Sequence, residues 1–89
     1  MKAQMHNFST WINETDPVIL KKLFLDKLLK SGFGVLKIIE KHFTPQGYTA
    51  LFLLSESHFA IHTFPEENQT YLEITSCIKI PFDNFINSL

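Results

Sequence analysis

Apolar positions along the chain change repeat several times, and each change predicts an element. Residues Asn7 to Asn13 alternate and are aromatic in character, with Phe8, Trp11 and Ile12, which predicts a first strand. Asp16-Pro17 then supplies an N-cap followed by proline at the first helical position. Leu20, Leu23, Phe24 and Leu28 recur at helical spacing, with Lys21, Lys22 and Lys30 on other faces, and Ser31-Gly32 is the expected stop. Such a helix lies on a sheet. Phe33 to Phe43 reads as a second strand and Thr44-Pro45-Gln46-Gly47 as a turn. Tyr48 to Ser55 is apolar almost throughout, which predicts a central strand buried on both faces. His58 to Phe64 and Thr70 to Ile80 form two more strand-like runs joined by the segment from Pro65 to Gln69, and Pro81 opens a short helical tail to Leu89.

The last hairpin makes a prediction about register. A turn centred near Glu67 sets Ser57 across from Cys77, close enough on neighbouring strands for near-contact. His62, five residues from Ser57, falls on the opposite side of an unbroken strand because side chains alternate. A bulge or turn between Ser57 and Phe59 is therefore expected if the two are to share a face.

Composition narrows the possibilities. A length of 89 residues makes one domain, 1–89, and at 45% hydrophobic with nine Phe it has apolar surface to spare for a second subunit. The net charge of −1, from 8 basic and 9 acidic side chains, offers no basic stripe for nucleic acid. No apolar run approaches the roughly 20 residues of a membrane span, and the N-terminus lacks a secretory signal, so the expected setting is the cytoplasm. The single cysteine forms no internal disulfide, and the two Asn-x-Thr sequons at Asn13 and Asn68 are read as chance. On a strand His58 and His62 stand roughly 13 Å apart, too far to share one ion, and no metal site is expected.

The chemistry concentrates in Leu54-Ser55-Glu56-Ser57-His58-Phe59-Ala60-Ile61-His62-Thr63-Phe64-Pro65-Glu66, followed by Thr75-Ser76-Cys77. Alone, Ser57 is a surface strand residue, His62 a satisfied imidazole and Cys77 a small core hydrophobe. Their joint spacing, over about Phe43 to Cys77, resembles the bacterial S-adenosylmethionine decarboxylases. The resemblance implies an α+β fold, a two-layer α/β sandwich whose mainly antiparallel sheet packs against helices. It also implies self-cleavage between Glu56 and Ser57 into a β chain, 1–56, and an α chain, 57–89.

In that chemistry the Ser57 hydroxyl attacks the Glu56 carbonyl, and the amide becomes an ester through an oxyanion. Loss of the Ser57 α-proton expels the Glu56 carboxylate, and hydrolysis of the dehydroalanine leaves a pyruvoyl group at residue 57. The ketone forms a Schiff base with a substrate amine and withdraws electrons as CO₂ leaves, a role otherwise filled by pyridoxal phosphate. The resemblance assigns His62 as the base, Thr49 as the hydroxyl steadying the oxyanion, and Cys77 as the donor that returns a proton to the substrate. It assigns Phe43 and Phe64 to a sandwich around the adenine of S-adenosylmethionine and Glu66 to the ribose hydroxyls, in a homodimer serving spermidine synthesis. The chain departs from the pattern at Ile78, where the family has glycine, and at Glu73, where it has aspartate. It also stops at Leu89, whereas family members continue with a further helix and strand, so a member and fold truncated at the C-terminus are expected. Two alternatives stay open: a pyruvoyl-dependent decarboxylase of free arginine or ornithine, and an unprocessed homologue that activates a full-length partner.

Overall fold

Asp16 starts the first helix in the way its position predicts. Its carboxylate accepts from the backbone N–H groups of Val18 and Ile19 at 2.9 and 3.1 Å, which satisfies two donors that the first helical turn leaves free. The helix ends at Gly32, whose φ of 108° is open to glycine and strained for other residues. The computed structural model describes residues 2–89. In chain order these form β1 (His6–Ile12), α1 (Pro17–Ser31), β2 (Val35–His42), β3 (Tyr48–Leu54), β4 (Ser57–Phe64), a 3-10 turn (Pro65–Glu67), β5 (Gln69–Ser76) and α2 (Lys79–Asn87).

The five strands make one antiparallel sheet in the order β1-β5-β4-β3-β2. Between β1 and β2, at opposite edges, runs α1, and it packs with α2 over one face. The result is the expected α+β arrangement. The core is aromatic: Phe24 of α1, Phe85 of α2 and Phe59 of β4 meet with ring centroids 5.2 to 6.2 Å apart. Leu20, Phe24 and Leu28 are buried as their spacing predicts, but Leu23 points outward and is 39% exposed. At the β2 edge Lys21 pairs with Glu40 at 2.9 Å, and Glu40 accepts from the buried Tyr48 hydroxyl at 2.9 Å, which ties α1 to the sheet.

Three expectations need correction here. The third strand is neither central nor buried twice: β4 holds the centre, and β3 alternates between buried Tyr48, Ala50, Phe52 and Leu54 and exposed Leu51 and Leu53. Helices cover only one face, so a continuous apolar run was misread as two-sided burial. The fifth strand stops at Ser76 rather than Ile80, and α2 begins at Lys79, with Pro81 inside its first turn. Proline is tolerated there because the first-turn N–H groups have no intrahelical acceptor.

Candidate active site

Residues Ser55 and Glu56 form the two-residue turn between β3 and β4, and Leu54 pairs with Ser57 across it. Glu56 has a φ of 60°, a left-handed conformation uncommon for a residue with a side chain. Its carbonyl oxygen belongs to the bond expected to break, and Cys77 donates to it twice. The Cys77 backbone N–H lies 3.3 Å away and the thiol 3.2 Å. The thiol also approaches the Glu56 carboxylate at 3.6 Å.

The hairpin register is one residue away from that expected. Ser57 pairs with Ser76, not with Cys77, and its hydroxyl donates to the Ser76 hydroxyl at 2.6 Å inside the core. Ser76 is itself held by the Ile78 backbone, accepting from N–H at 2.9 Å and donating to the carbonyl at 3.2 Å. The left-handed Asn68 closes the 3-10 turn and displaces the register, a backbone detail that counting from Glu67 did not include. Ser76 is the residue the sequence reading missed, and the shared alternation of β4 and β5 is the signal that points to it.

The anticipated bulge is also absent. β4 runs unbroken from Ser57 to Phe64, paired with β5 along its whole length and with β3 from Ser57 to His62. Ser57 therefore faces the helices while His62 faces the uncovered side, and five strand residues place them roughly 17 Å apart. His62 instead meets Thr49, its cross-strand partner: Thr49 Oγ1 and His62 Nδ1 are 3.0 Å apart. The tautomer decides what this contact does. When Nδ1–H donates to the threonine, Nε2 keeps a free lone pair and can act as a base.

Phe43 and Phe64 are both partly exposed, at the same end of the sheet as His62. The Phe43 N–H donates to the Gly47 carbonyl at 2.8 Å, and the β3–β4 register carried two residues further sets Gly47 opposite Phe64. Phe43, just past β2, and Phe64, at the end of β4, thus flank Gly47, and the Phe43 side chain lies 3.6 Å from where a Cβ on Gly47 would be. Glu66 accepts from Gln46, the residue before Gly47, at 3.2 Å. The Phe64 ring also packs on Trp11, with centroids 5.7 Å apart. Among the described residues no group of three or more His, Cys, Asp or Glu is placed to hold a metal, and no helix is long and apolar enough to cross a membrane.

The sequence profile of the S-adenosylmethionine decarboxylase family matches residues 8–89. The chain belongs to that family. It is 49% identical over 64 residues to S-adenosylmethionine decarboxylase proenzyme 2 of Bacillus cereus, an alignment covering 66% of this chain and 52% of the relative. With the proenzyme of Geobacillus kaustophilus it shares 36% over 66 residues, covering 74% of this chain and 52% of the relative. The chain thus spans about half the length of the curated relatives it matches. The fold is similar to the crystal structure of the adenosylmethionine decarboxylase from Aquifex aeolicus, with a TM-score of 0.69 at 20% identity, over 96% of this chain and 78% of that one.

Proposed function

We propose that this chain is a self-processing decarboxylase of S-adenosylmethionine, acting in the cytoplasm, in which the single domain 1–89 divides at Glu56–Ser57 into a β chain, 1–56, and an α chain, 57–89. The observation that carries the reading is the double donation from Cys77 to the Glu56 carbonyl, in a turn where Glu56 has a positive φ. Two donors aimed at one carbonyl stabilise the negative charge that builds there when a neighbouring hydroxyl attacks. The Ser57 oxygen forms the new C–O bond, the amide C–N bond breaks, and the freed amine takes the hydroxyl proton. Removal of the Ser57 α-proton by a base then breaks the Cβ–O bond and releases Glu56 as a carboxylate. Water replaces nitrogen, which leaves as ammonia, and the α chain keeps a pyruvoyl cap.

The residues present fit such a group. Once formed it supplies the electron sink for loss of CO₂. Phe43 and Phe64 hold the planar base over Gly47, Glu66 takes the ribose hydroxyls, and Cys77 returns a proton to the substrate. The two exposed aromatic rings, Phe43 and Phe64, favour an adenine-bearing substrate over a free amino acid, which has no ring to stack on them.

One chain does not hold all of this site, because its His62 lies roughly 17 Å from its own Ser57 and on the other face. A second copy supplies what is missing. The uncovered face exposes Trp11 (51%), Ile39 (55%), Leu51 (44%) and Leu53 (53%), an apolar surface fit for another sheet. A two-fold axis running across the strands sets the His62–Thr49 end of one sheet over the Glu56–Cys77 end of the other. The protein is on this reading a homodimer with composite sites.

Mass spectrometry of the denatured protein tests the cleavage. Incubated wild-type chain yields fragments 1–56 and 57–89, the second blocked at its N-terminus, and Ser57→Ala stays whole. A wild-type mass that remains intact after prolonged incubation refutes the self-processing enzyme and leaves the unprocessed activator.

A further inference from the structure

The row of residues that crosses the uncovered face through His62 is continuous. Register pairs Trp11 with Tyr71, Tyr71 with His62, and His62 with Thr49, one residue from each of β1, β5, β4 and β3. Contacts follow the same order. Trp11 and Tyr71 rings are 5.2 Å apart at 58°, Tyr71 and His62 are 6.3 Å apart at 30° and stacked, and Thr49 binds His62 Nδ1 at 3.0 Å.

One hydrogen bond between Nδ1 and a rotatable hydroxyl is angularly broad, so it limits the turn of the imidazole about Cβ–Cγ only loosely. A second contact, on the ring face, removes that freedom. Tyr71 makes it, and Tyr71 is held in turn on its far side by Trp11 and at its hydroxyl by Glu73, which accepts at 3.1 Å. Offset stacking at this separation is favourable and keeps the two planes near parallel.

We infer that Tyr71, backed by Trp11, is the positioning residue of His62: its ring holds the imidazole plane so that Nδ1 stays on Thr49 and Nε2 stays turned away from this chain's sheet, toward a reacting proton. The inference rests on His62 being the processing base, but the ring contact itself is measurable without cleavage. Tyr71 lies on the face proposed to pack on a second copy, so a slowed cleavage is assigned to His62 only where light scattering shows that Tyr71→Leu keeps the wild-type assembly.

The test uses full-length protein labelled with ¹⁵N-histidine, with the His62 ring signals assigned by their loss in His62→Gln. In the wild type the His62 ring protons are expected to be shifted upfield by the Tyr71 ring, and the nitrogen shifts to report an Nδ1–H tautomer. Tyr71→Leu keeps an apolar side chain on the strand but has no ring. It is expected to lose the upfield shift, to mix the tautomers and to slow self-cleavage about tenfold, consistent with removing part of a general base's usual contribution. Tyr71→Phe retains the ring without the hydroxyl and is expected to restore both readouts to within about twofold of wild type. Unchanged His62 signals in Tyr71→Leu overturn the inference whether or not the chain cleaves. Wild-type cleavage by Tyr71→Leu overturns it too, as does a Tyr71→Phe variant as slow as the leucine one. A wild type that never cleaves but shows the shifted, single-tautomer ring refutes the base assignment and leaves the contact standing. Should Tyr71→Leu not fold, Trp11→Leu, one residue further from His62, gives the same signs at reduced size, and no change in its His62 signals refutes the row.

Discussion

A composite site predicts that two inactive variants repair one another. Ser57→Ala removes the nucleophile and His62→Ala removes the base, so neither alone processes at the wild-type rate. A positioned general base contributes roughly 10² to 10⁴ in rate, which sets the expected deficit of His62→Ala. Within one chain the two residues lie on opposite faces of an unbroken strand, roughly 17 Å apart, far beyond the ~3 Å a proton transfer needs. In the proposed dimer, the His62 carried by a Ser57→Ala chain lies over the Glu56–Ser57 turn of a His62→Ala partner. With equal co-expression and random pairing, about half of the His62→Ala chains sit in mixed dimers. About half of them are therefore cleaved at the wild-type rate, while Ser57→Ala chains stay whole. Different affinity tags on the two variants and denaturing mass spectrometry give both fractions, and light scattering at micromolar concentration reports the dimer. If His62→Ala chains remain uncut beside abundant Ser57→Ala chains in a proven mixed dimer, the arrangement across two copies is wrong.

Cys77→Ala keeps the backbone N–H on the Glu56 carbonyl and removes only the thiol, a weak donor, so cleavage is expected to slow by about 1 kcal/mol, roughly fivefold, and still finish. Release of CO₂ from carboxyl-labelled S-adenosylmethionine should then fail per processed chain, and wild-type release would rule out Cys77 as the proton donor. The α1–β2 tie gives two pH limits. Lys21 and then Tyr48, by hydrogen bonding, hold the Glu40 carboxyl below its usual range, so its stabilisation is complete above about pH 4.5 and lost as pH falls through the lower folded value. Burial, followed by the Glu40 hydrogen bond, raises the Tyr48 phenol above its ordinary 10.0, so that contribution is present below pH 10 and lost as pH rises beyond it. Glu40→Gln should flatten the acid limb of a Tm-against-pH profile and Tyr48→Phe the alkaline limb. Unchanged limbs contradict the tie.

Local chemistry made much of this molecule legible in its sequence. Asp16-Pro17 and Gly32 bound the first helix because capping and left-handed backbone are properties of single residues. Alternation and turn residues gave all five strands, and the spacing of Glu56, Ser57, His62 and Cys77 gave the family. Even the pairing of Thr49 with His62 joins two residues that the motif had already named.

What the sequence did not determine are quantities that depend on more than one element. Burial of β3 on one face was decided by both helices packing on the same side, which no window of β3 residues records. The β4–β5 register turned on the backbone of Pro65–Asn68, and that one-residue difference put Ser57 on Ser76 and freed Cys77 to reach the Glu56 carbonyl. The row Trp11–Tyr71–His62–Thr49 joins positions scattered from residue 11 to residue 71, and only the sheet brings them side by side. The separation of Ser57 from His62 is likewise tertiary: the chain puts them five residues apart, and an unbroken, fully paired strand keeps them on opposite faces.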